Sequence, residues 1–313
     1  MLNPQAKALI ELIESLGLPP ANELPVAQAR KNYRDRRHGT QPPAPEVGSV
    51  QDHTLAVAGG EILIRDYRPT GATTANGTLP ALLYLHGGGW TIGDLDTHDT
   101  LCRSLCEQAG CAVFSIDYRM GPEHKFPVAV EDAAAAAQWL FDHAQAFGVD
   151  PARIAVGGDS AGGNLAAVLA LLRRDQGLPN FALQLLIYPA VDQRAGQDSH
   201  QRNGTGYLLT RDLMDWFRDQ YHSDPAEYLD WRASPLLAQR HDDLPAAFVL
   251  TAEYDPLVDE GQAYAQVLEG AGVAVEHVCF EGQIHGFITM GKVIDDANRA
   301  VSLCAQKLQA ALH

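Results

Sequence analysis

A pentapeptide near the middle of the chain has the composition of a turn that presents a reactive serine. Residues 158–162 read Gly-Asp-Ser-Ala-Gly and match the pattern G-x-S-x-G, with Ser160 at the centre. The pattern needs its glycines because the sharp turn from strand to helix leaves no room for Cβ atoms beside the nucleophile. A strand-like apolar run precedes the turn, and an alanine- and leucine-rich segment follows it. The sequence therefore predicts Ser160 as a nucleophile.

A histidine and a carboxylate that could activate this serine lie further along the chain. A serine hydroxyl is a poor nucleophile until an imidazole takes its proton, and a carboxylate must hold the imidazole in the right tautomer. Asp255 and His285 each follow a strand-like run, so the chain order is serine, aspartate, histidine. Glu253 and Asp259 are competing carboxylates. Asp255 is the better candidate because Pro256 restricts its loop, whereas Asp259 is expected to cap the following helix.

Three consecutive glycines mark a second loop that could take part in the same chemistry. They lie in the sequence His-Gly-Gly-Gly-Trp at residues 86–90, directly after a strand-like run. Attack of a serine on a carbonyl group develops a negative charge on oxygen, and each backbone N–H aimed at that oxygen can contribute roughly 3–4 kcal/mol. Consecutive glycines let the main chain turn its N–H groups into the site. The sequence predicts that this glycine loop, residues 86–90, stabilises an oxyanion.

The elements that must position these loops alternate regularly from about residue 50 onward. Runs rich in Val, Ile and Leu alternate with helical segments as far as the C-terminus. This rhythm predicts an α/β fold with a mostly parallel sheet covered by helices on both faces. One stretch, residues 191–232, has no strand pattern and is too long for a plain connection. Leu213, Phe217 and Tyr221 recur there at helical spacing, which predicts a helix that either packs on the core or forms part of a binding element.

The first part of the chain differs from this main body. Apolar residues recur at helical spacing from Ala6 to Leu16, and a polar, proline-rich stretch then leads into the first strand. We predict an N-terminal helical segment over residues 1–45. The catalytic domain is predicted over residues 46–313, with the insertion at about 191–232.

Composition and charge exclude several classes of partner. The chain has 313 residues, and 23 Lys and Arg against 39 Asp and Glu give a net charge of −16. Such a charge repels a phosphate backbone and an anionic membrane face. The longest apolar stretch, residues 165–172, is far shorter than the roughly 20 residues that span a bilayer. The N-terminus lacks the basic start and apolar block of a secretory signal. We therefore predict a cytoplasmic protein that binds neither nucleic acid nor membrane.

The cysteines and the residues after the serine turn bear on metals and cofactors. Five cysteines without a CxxC pair favour reduced thiols over a disulfide framework. Cys102 and Cys106 could share one helix face, but no nearby pair of His or Cys completes a zinc set. Gly163 and Asn164 stand where a phosphate-binding loop would need Lys and Ser or Thr. The sequence predicts no metal and no cofactor.

Five motifs together give the chain a family resemblance. They are HGGGW at 86–90, DYRMGPEHKFPVAVED at 117–132, GDSAGGN at 158–164, AEYDPLVDE at 252–260 and IHGF at 284–287. In this combination and order the chain resembles the bacterial hormone-sensitive-lipase-like esterases, the family IV carboxylesterases. The resemblance implies the α/β-hydrolase fold with a helical cap. One departure is Met120-Gly121, where relatives usually have Leu-Ala, and the added glycine could loosen that loop.

The resemblance also assigns roles to single residues. It implies Ser160 as nucleophile, His285 as base and Asp255 as the acid that orients it. It implies an oxyanion hole formed by the backbone amides of Gly88, Gly89 and Ala161. A cap over the acyl pocket would be formed by the first 45 residues together with part of the 191–232 insertion.

These observations predict a serine carboxylesterase that hydrolyses short-to-medium-chain acyl esters through an acyl-enzyme. Its only expected partner is a small-molecule ester, and the protein is expected to be a monomer or homodimer. Two alternatives stay open. An amidase or deacetylase could use the same three side chains, because the difference lies in protonation of the leaving nitrogen. A non-catalytic ligand-binding module could share the fold, although such proteins lack the histidine that stands here at residue 285.

Overall fold

A twisted sheet runs through the molecule and carries every loop discussed above. The computed structural model describes residues 1–72 and 77–313. Within them the strands are β1 Ser49–Val57, β2 Gly60–Arg68, β3 Leu79–Leu85, β4 Ala112–Asp117, β5 Val149–Asp159, β6 Gln184–Ile187, β7 Ala247–Tyr254 and β8 Val275–Ile284. They pair in the order β1-β2-β4-β3-β5-β6-β7-β8. β1 and β2 are antiparallel to their neighbours and all other pairs are parallel.

Helices cover both faces of this sheet. In the described residues they are α1 Pro4–Ser15, α2 Val26–Thr40, α3 Asp99–Ala109, α4 Val128–His143, α5 Ala161–Asp175, α6 Ser199–Arg202, α7 Arg211–Tyr221, α8 Val258–Gly270 and α9 Asp295–Leu312. One apolar core lies between the sheet and α4, α5 and α8, and a second lies between the opposite face and α1, α3 and α9. Strands β3 and β6 are apolar along nearly their whole length because they are covered on both faces. The predicted α/β-hydrolase fold is confirmed.

The N-terminal helix α1 packs on the second core. Asn3 caps it through Oδ1, which accepts hydrogen bonds from the backbone N–H groups of Gln5 at 2.8 Å and Ala6 at 3.4 Å. Ala6 is fully buried, as is most of Leu9. The apolar face ends earlier than its spacing predicts: the helix stops at Ser15, and Leu16 beyond it is 59% exposed.

Several contacts tie helix α2 to the main body, among them Arg34 with Asp94, and Arg30 makes the largest set of them. Arg30 donates from Nε to the carbonyl of Thr91 at 2.8 Å and from Nη2 to the carbonyl of Gly121 at 2.8 Å. It also makes a two-pronged ion pair with Glu123, with contacts of 2.9 and 2.7 Å. Thr91 directly follows the glycine loop. The N-terminal segment is thus fastened to Thr91, directly after the glycine loop, and to Gly121, whose N–H bonds to Trp90 at the end of that loop.

Gly121 is held tightly, contrary to the expected loosening at Met120-Gly121. Its N–H donates to the carbonyl of Trp90 at 2.9 Å. A Cβ on this glycine would lie 2.4 Å from the carbonyl oxygen of Gln220, near the end of α7. The glycine therefore permits a close backbone approach between this loop and the 191–232 insertion.

The insertion contains α6 and α7, and its two ends meet at one buried side chain. The amide nitrogen of Asn164, in the first turn of α5, donates to the carbonyls of Ala190 at 2.7 Å and Ala233 at 2.8 Å. Helix α7 forms where the spacing of Leu213, Phe217 and Tyr221 predicts it, and Thr210 caps it by accepting from the N–H of Leu213. We call the contact made by Asn164 the insertion clasp.

Candidate active site

Ser160 occupies a turn in which the glycines two residues before and after it have no room for a side chain. β5 ends one residue before it and α5 begins one residue after it, and its own backbone has φ +55°. A Cβ at Gly158 would lie 2.3 Å from the carbonyl oxygen of Leu85, and one at Gly162 would lie 1.8 Å from the same atom. Both glycines are thus required by the close approach of β3 to the turn. The serine is left at the carboxyl edge of the sheet.

The imidazole of His285 lies between this serine and a carboxylate. Its Nε2 is 2.9 Å from Oγ of Ser160, and its Nδ1 is 2.6 Å from Oδ2 of Asp255. His285 directly follows β8 and Asp255 directly follows β7. The carboxyl ends of these strands lie at the same edge of the sheet as the serine turn. A carboxylate can only accept, so Nδ1 carries the imidazole proton and Nε2 is free to accept from the hydroxyl. This is the arrangement in which the hydroxyl proton can pass to the histidine.

Asp255 is fixed by burial and by a second hydrogen bond. The residue is fully buried, and its Oδ1 accepts from the backbone N–H of Leu257 at 2.8 Å. One carboxylate oxygen therefore closes the turn before α8 while the other faces His285. The turn-closing role and the role beside histidine coexist in this one side chain.

The two competing carboxylates bind elsewhere. Glu253 accepts a hydrogen bond from the backbone N–H of Gly282 at 2.6 Å. Asp259 accepts from the N–H of Ser199 at 2.9 Å and from Arg202 at 2.7 Å, both in α6. The expectation that Asp259 caps α8 is wrong: α8 begins at Val258, so the aspartate lies inside its first turn and faces the insertion instead.

The glycine loop crosses in front of the serine with a backbone that favours glycine. Gly88 has φ +123° and Gly89 has φ +58°. A Cβ at Gly88 would lie 2.1 Å from the carbonyl oxygen of Ile92, and one at Gly89 would lie 2.3 Å from the ring of Phe217. Among the described residues, the N–H groups of these two glycines donate to no protein acceptor, and both glycines line the same cavity as Ser160. They are free to bind a ligand oxygen.

A cavity of about 820 Å³ lies in front of the serine and the histidine. The N-terminal segment supplies one wall, the insertion supplies another, and the glycine loop lies between them. The apolar side chains of these walls include Leu9, Ile13, Leu16, Leu24, Trp90, Leu213, Met214 and Phe217. Tyr33 of α2 also lines the cavity, and sequence reasoning does not single it out because nothing in its local pattern marks it. The space suits a small, largely apolar molecule.

The described part of the chain lacks the features of several other kinds of site. No group of three or more His, Cys, Asp or Glu converges there to hold a metal ion. All five cysteines are unpaired, and only Cys279 is exposed. No helix in residues 1–72 or 77–313 is long and apolar enough to cross a membrane.

Comparisons with known proteins agree with this geometry. The pattern of a family described as having the alpha/beta hydrolase fold matches residues 82–289. The chain is similar to an ethyl acetate hydrolase of Pseudomonas putida, with 40% identity and 98% of each chain covered. It is also similar to a carboxylic ester hydrolase of Mycobacterium tuberculosis, with 47% identity over 79% of this chain and 67% of the relative. A crystal structure of an α/β hydrolase enzyme from the metagenome of Lake Arreo, Spain, superposes with a TM-score of 0.96 and 42% identity, covering 99% of this chain and 98% of the other.

Proposed function

This chain belongs to the α/β hydrolase fold family, in its hormone-sensitive-lipase-like group, and is a carboxylesterase; from that premise we propose that Ser160 attacks the carbonyl carbon of short-to-medium-chain acyl esters. His285 is the base and Asp255 orients it. The observation that carries this assignment is the pair of hydrogen bonds, 2.9 and 2.6 Å, that runs from serine through histidine to aspartate.

The reaction follows from the order of these contacts. As Oγ of Ser160 bonds to the carbonyl carbon, its proton moves to Nε2 of His285. The carbonyl oxygen becomes an oxyanion, which the N–H groups of Gly88, Gly89 and Ala161 stabilise. When the carbon–oxygen bond to the alcohol breaks, the histidine returns the proton to the departing alkoxide. Water then repeats the sequence on the acyl-enzyme and releases the carboxylic acid.

We propose that the cavity in front of Ser160 limits the length of the acyl chain. We propose that residues 1–45 and part of the 191–232 insertion form a cap over a catalytic domain spanning 46–313. Apolar walls from both parts surround the space in front of the serine, which supports burial of an acyl chain of finite length. We expect activity to decline beyond roughly eight to ten acyl carbons. The similarity to an ethyl acetate hydrolase supports small esters as substrates.

We propose a cytoplasmic enzyme that acts as a monomer or homodimer on a small-molecule ester, without a metal or cofactor. The five unpaired thiols, four of them buried, suit a reducing compartment.

The test is a hydrolysis profile over p-nitrophenyl esters from acetate to palmitate, with p-nitroacetanilide as the amide control. Wild-type protein should prefer short and medium esters and leave the anilide almost intact. Ser160→Ala should fold and lose ester hydrolysis, whereas Ser104→Ala, at a serine on α3 that does not line the cavity, should retain it. Residual turnover above about 1% in Ser160→Ala would place the nucleophile elsewhere. Rapid cleavage of the anilide would favour the amidase alternative.

A further inference from the structure

A buried carboxylate lies directly behind the glycine loop. Asp159, the residue before the serine, is only 4% exposed. Its Oδ1 accepts a hydrogen bond from the backbone N–H of Gly87 at 2.9 Å and another from the hydroxyl of Tyr84 at 2.7 Å. Nε2 of His98 lies 3.2 Å from Oδ1 and 3.3 Å from Oδ2. Both carboxylate oxygens therefore have buried partners, and one partner is the backbone of the glycine loop.

The surroundings of this carboxylate are built for it. Tyr84 and His98 are fully buried, and Nδ1 of the histidine lies 3.0 Å from the hydroxyl of Thr97. A Cβ at Gly87 would lie 2.3 Å from Oδ2 of Asp159, so only glycine lets the loop approach the carboxylate this closely. Burial alone would raise the pKa of Asp159, but His98 and the Tyr84 hydroxyl together hold that pKa below its usual range.

We infer that Asp159 is a positioning residue for ester hydrolysis: by accepting from the N–H of Gly87, it sets the direction in which Gly88 and Gly89 present their own N–H groups. The inference rests on the proposed oxyanion role of those two glycines. Asp159 is also covalently bonded to Ser160, so one residue fixes both the nucleophile turn and the loop that faces it. The distance from the attacking oxygen to the N–H donors is thereby set through a single side chain.

Two substitutions at position 159 separate the hydrogen bonds of this side chain from its negative charge. An asparagine at this position could still accept from Gly87 and Tyr84 through its amide oxygen. Its amide N–H could donate to Nε2 of a neutral His98 whose Nδ1–H donates to Thr97. An alanine could do neither, and the glycine loop would lose its anchor. Misplacement of catalytic groups by about 1 Å can lower rates by roughly 100-fold.

The experiment compares Asp159→Ala with Asp159→Asn in the full-length protein. We expect Asp159→Ala to lower kcat by about 10- to 100-fold, with KM changed by less than about threefold, because the loss falls on the transition state. We expect Asp159→Asn to restore kcat to within about fivefold of wild type, since it replaces the same hydrogen bonds. A trifluoromethyl ketone, which forms a tetrahedral adduct with serine, should lose affinity in proportion to kcat/KM.

Two further variants separate positioning from folding. Gly87→Ala should reproduce the loss in kcat, because its Cβ would push the loop away from the carboxylate. Asp66→Ala removes a different buried carboxylate, paired with Arg68 on β2, and should lower Tm without changing kcat. If Asp159→Ala does not fold, Gly87→Ala and Asp159→Asn still decide the question.

Several results would overturn the inference. They are a kcat within twofold of wild type in Asp159→Ala or Gly87→Ala, an Asp159→Asn protein as inactive as the alanine variant, or unchanged affinity for the ketone. An active Ser160→Ala enzyme would instead contradict the proposed nucleophile. The two failures are therefore distinguishable.

Discussion

Phe217, in the insertion helix α7, lies directly against Gly89 of the glycine loop. A Cβ built on that glycine would be 2.3 Å from the aromatic ring, closer than real side chains approach. The backbone of Gly89 also has φ +58°, which favours glycine. The insertion is therefore in contact with the proposed oxyanion site and not only with the substrate cavity.

We predict that Gly89→Ala lowers kcat by about 100-fold or more, since both the backbone angle and the contact with Phe217 oppose the new methyl group. The double variant Gly89→Ala/Phe217→Ala should recover part of the loss, because it removes the clash but leaves the strained angle. Gly272→Ala is the matched control. Gly272 has φ +84° and open space around it, so this change should cost about 1–2 kcal/mol of stability and leave kcat unchanged. Equal kinetics in the single and double variants would refute the contact.

The second prediction concerns the partner of His285. Asp255→Asn should fold and lower kcat by several orders of magnitude, up to about 10⁴, because the imidazole then adopts the wrong tautomer. Glu253→Gln is the matched control, since that carboxylate accepts from Gly282 instead. Steady-state kinetics on p-nitrophenyl butyrate checks both. A severe loss in Glu253→Gln with a mild one in Asp255→Asn would reverse the assignment.

The third prediction concerns the fastening of α2. Arg30→Ala removes an ion pair and two bonds to carbonyls, and should cost about 1–3 kcal/mol of stability. It should also broaden the acyl-chain preference, because the cavity wall that α2 supplies is held less firmly, although Arg34 still bonds to Asp94. Arg30→Lys should not rescue either property, since a lysine cannot reproduce the planar fork. Lys31→Ala, an exposed neighbour paired with Asp35 in the same helix, is the control. Unaltered selectivity in Arg30→Ala would show that this contact does not hold the cap.

The fourth prediction is a loss of stability in acid. Burial lowers the pKa of His86 from its ordinary value of 6.5 to about 4. The unfolded chain therefore binds more protons than the folded protein between these values. The shift has no effect on stability above pH 6.5, and it lowers stability by about 3 kcal/mol as the pH falls from 6.5 to 4.

Thermal unfolding between pH 8 and pH 4 measures this effect. Tm should fall most steeply between pH 6.5 and 4, and the fall should be shallower in His86→Gln. His38→Gln, at an exposed position on α2, serves as the control and should keep the wild-type slope. A wild-type Tm that stays level down to pH 4 would contradict the assignment.

Features set by local steric rules could be predicted from the sequence. The serine turn is an example. The pattern G-x-S-x-G places glycines at 158 and 162, and these are the two positions where the backbone of β3 comes too close for a side chain. The sheet could be predicted because buried parallel strands are continuous apolar runs. The order of Ser160, Asp255 and His285 along the chain likewise follows from the loops after successive strands.

Features that depend on contacts between distant segments could not be predicted. No local pattern indicates that Asp159 binds the N–H of Gly87, 72 positions away. Asp259 carries the signature of a helix cap, yet it bonds to α6 because the insertion folds back over α8. Leu16 continues the helical spacing but lies past the helix end, where it borders the cavity.

The insertion clasp bears on how such a chain can change over evolutionary time. Asn164 holds the carbonyls of Ala190 and Ala233, so the segment between them leaves and rejoins the body at one point. The length of this segment can then change without a change in the spacing between β6 and β7. A different insertion with the same two ends would alter the substrate range, and to keep the hydrolytic centre in place it would have to retain the contact of Phe217 with Gly89 and the bond from Asn203 to the carbonyl of Asp255.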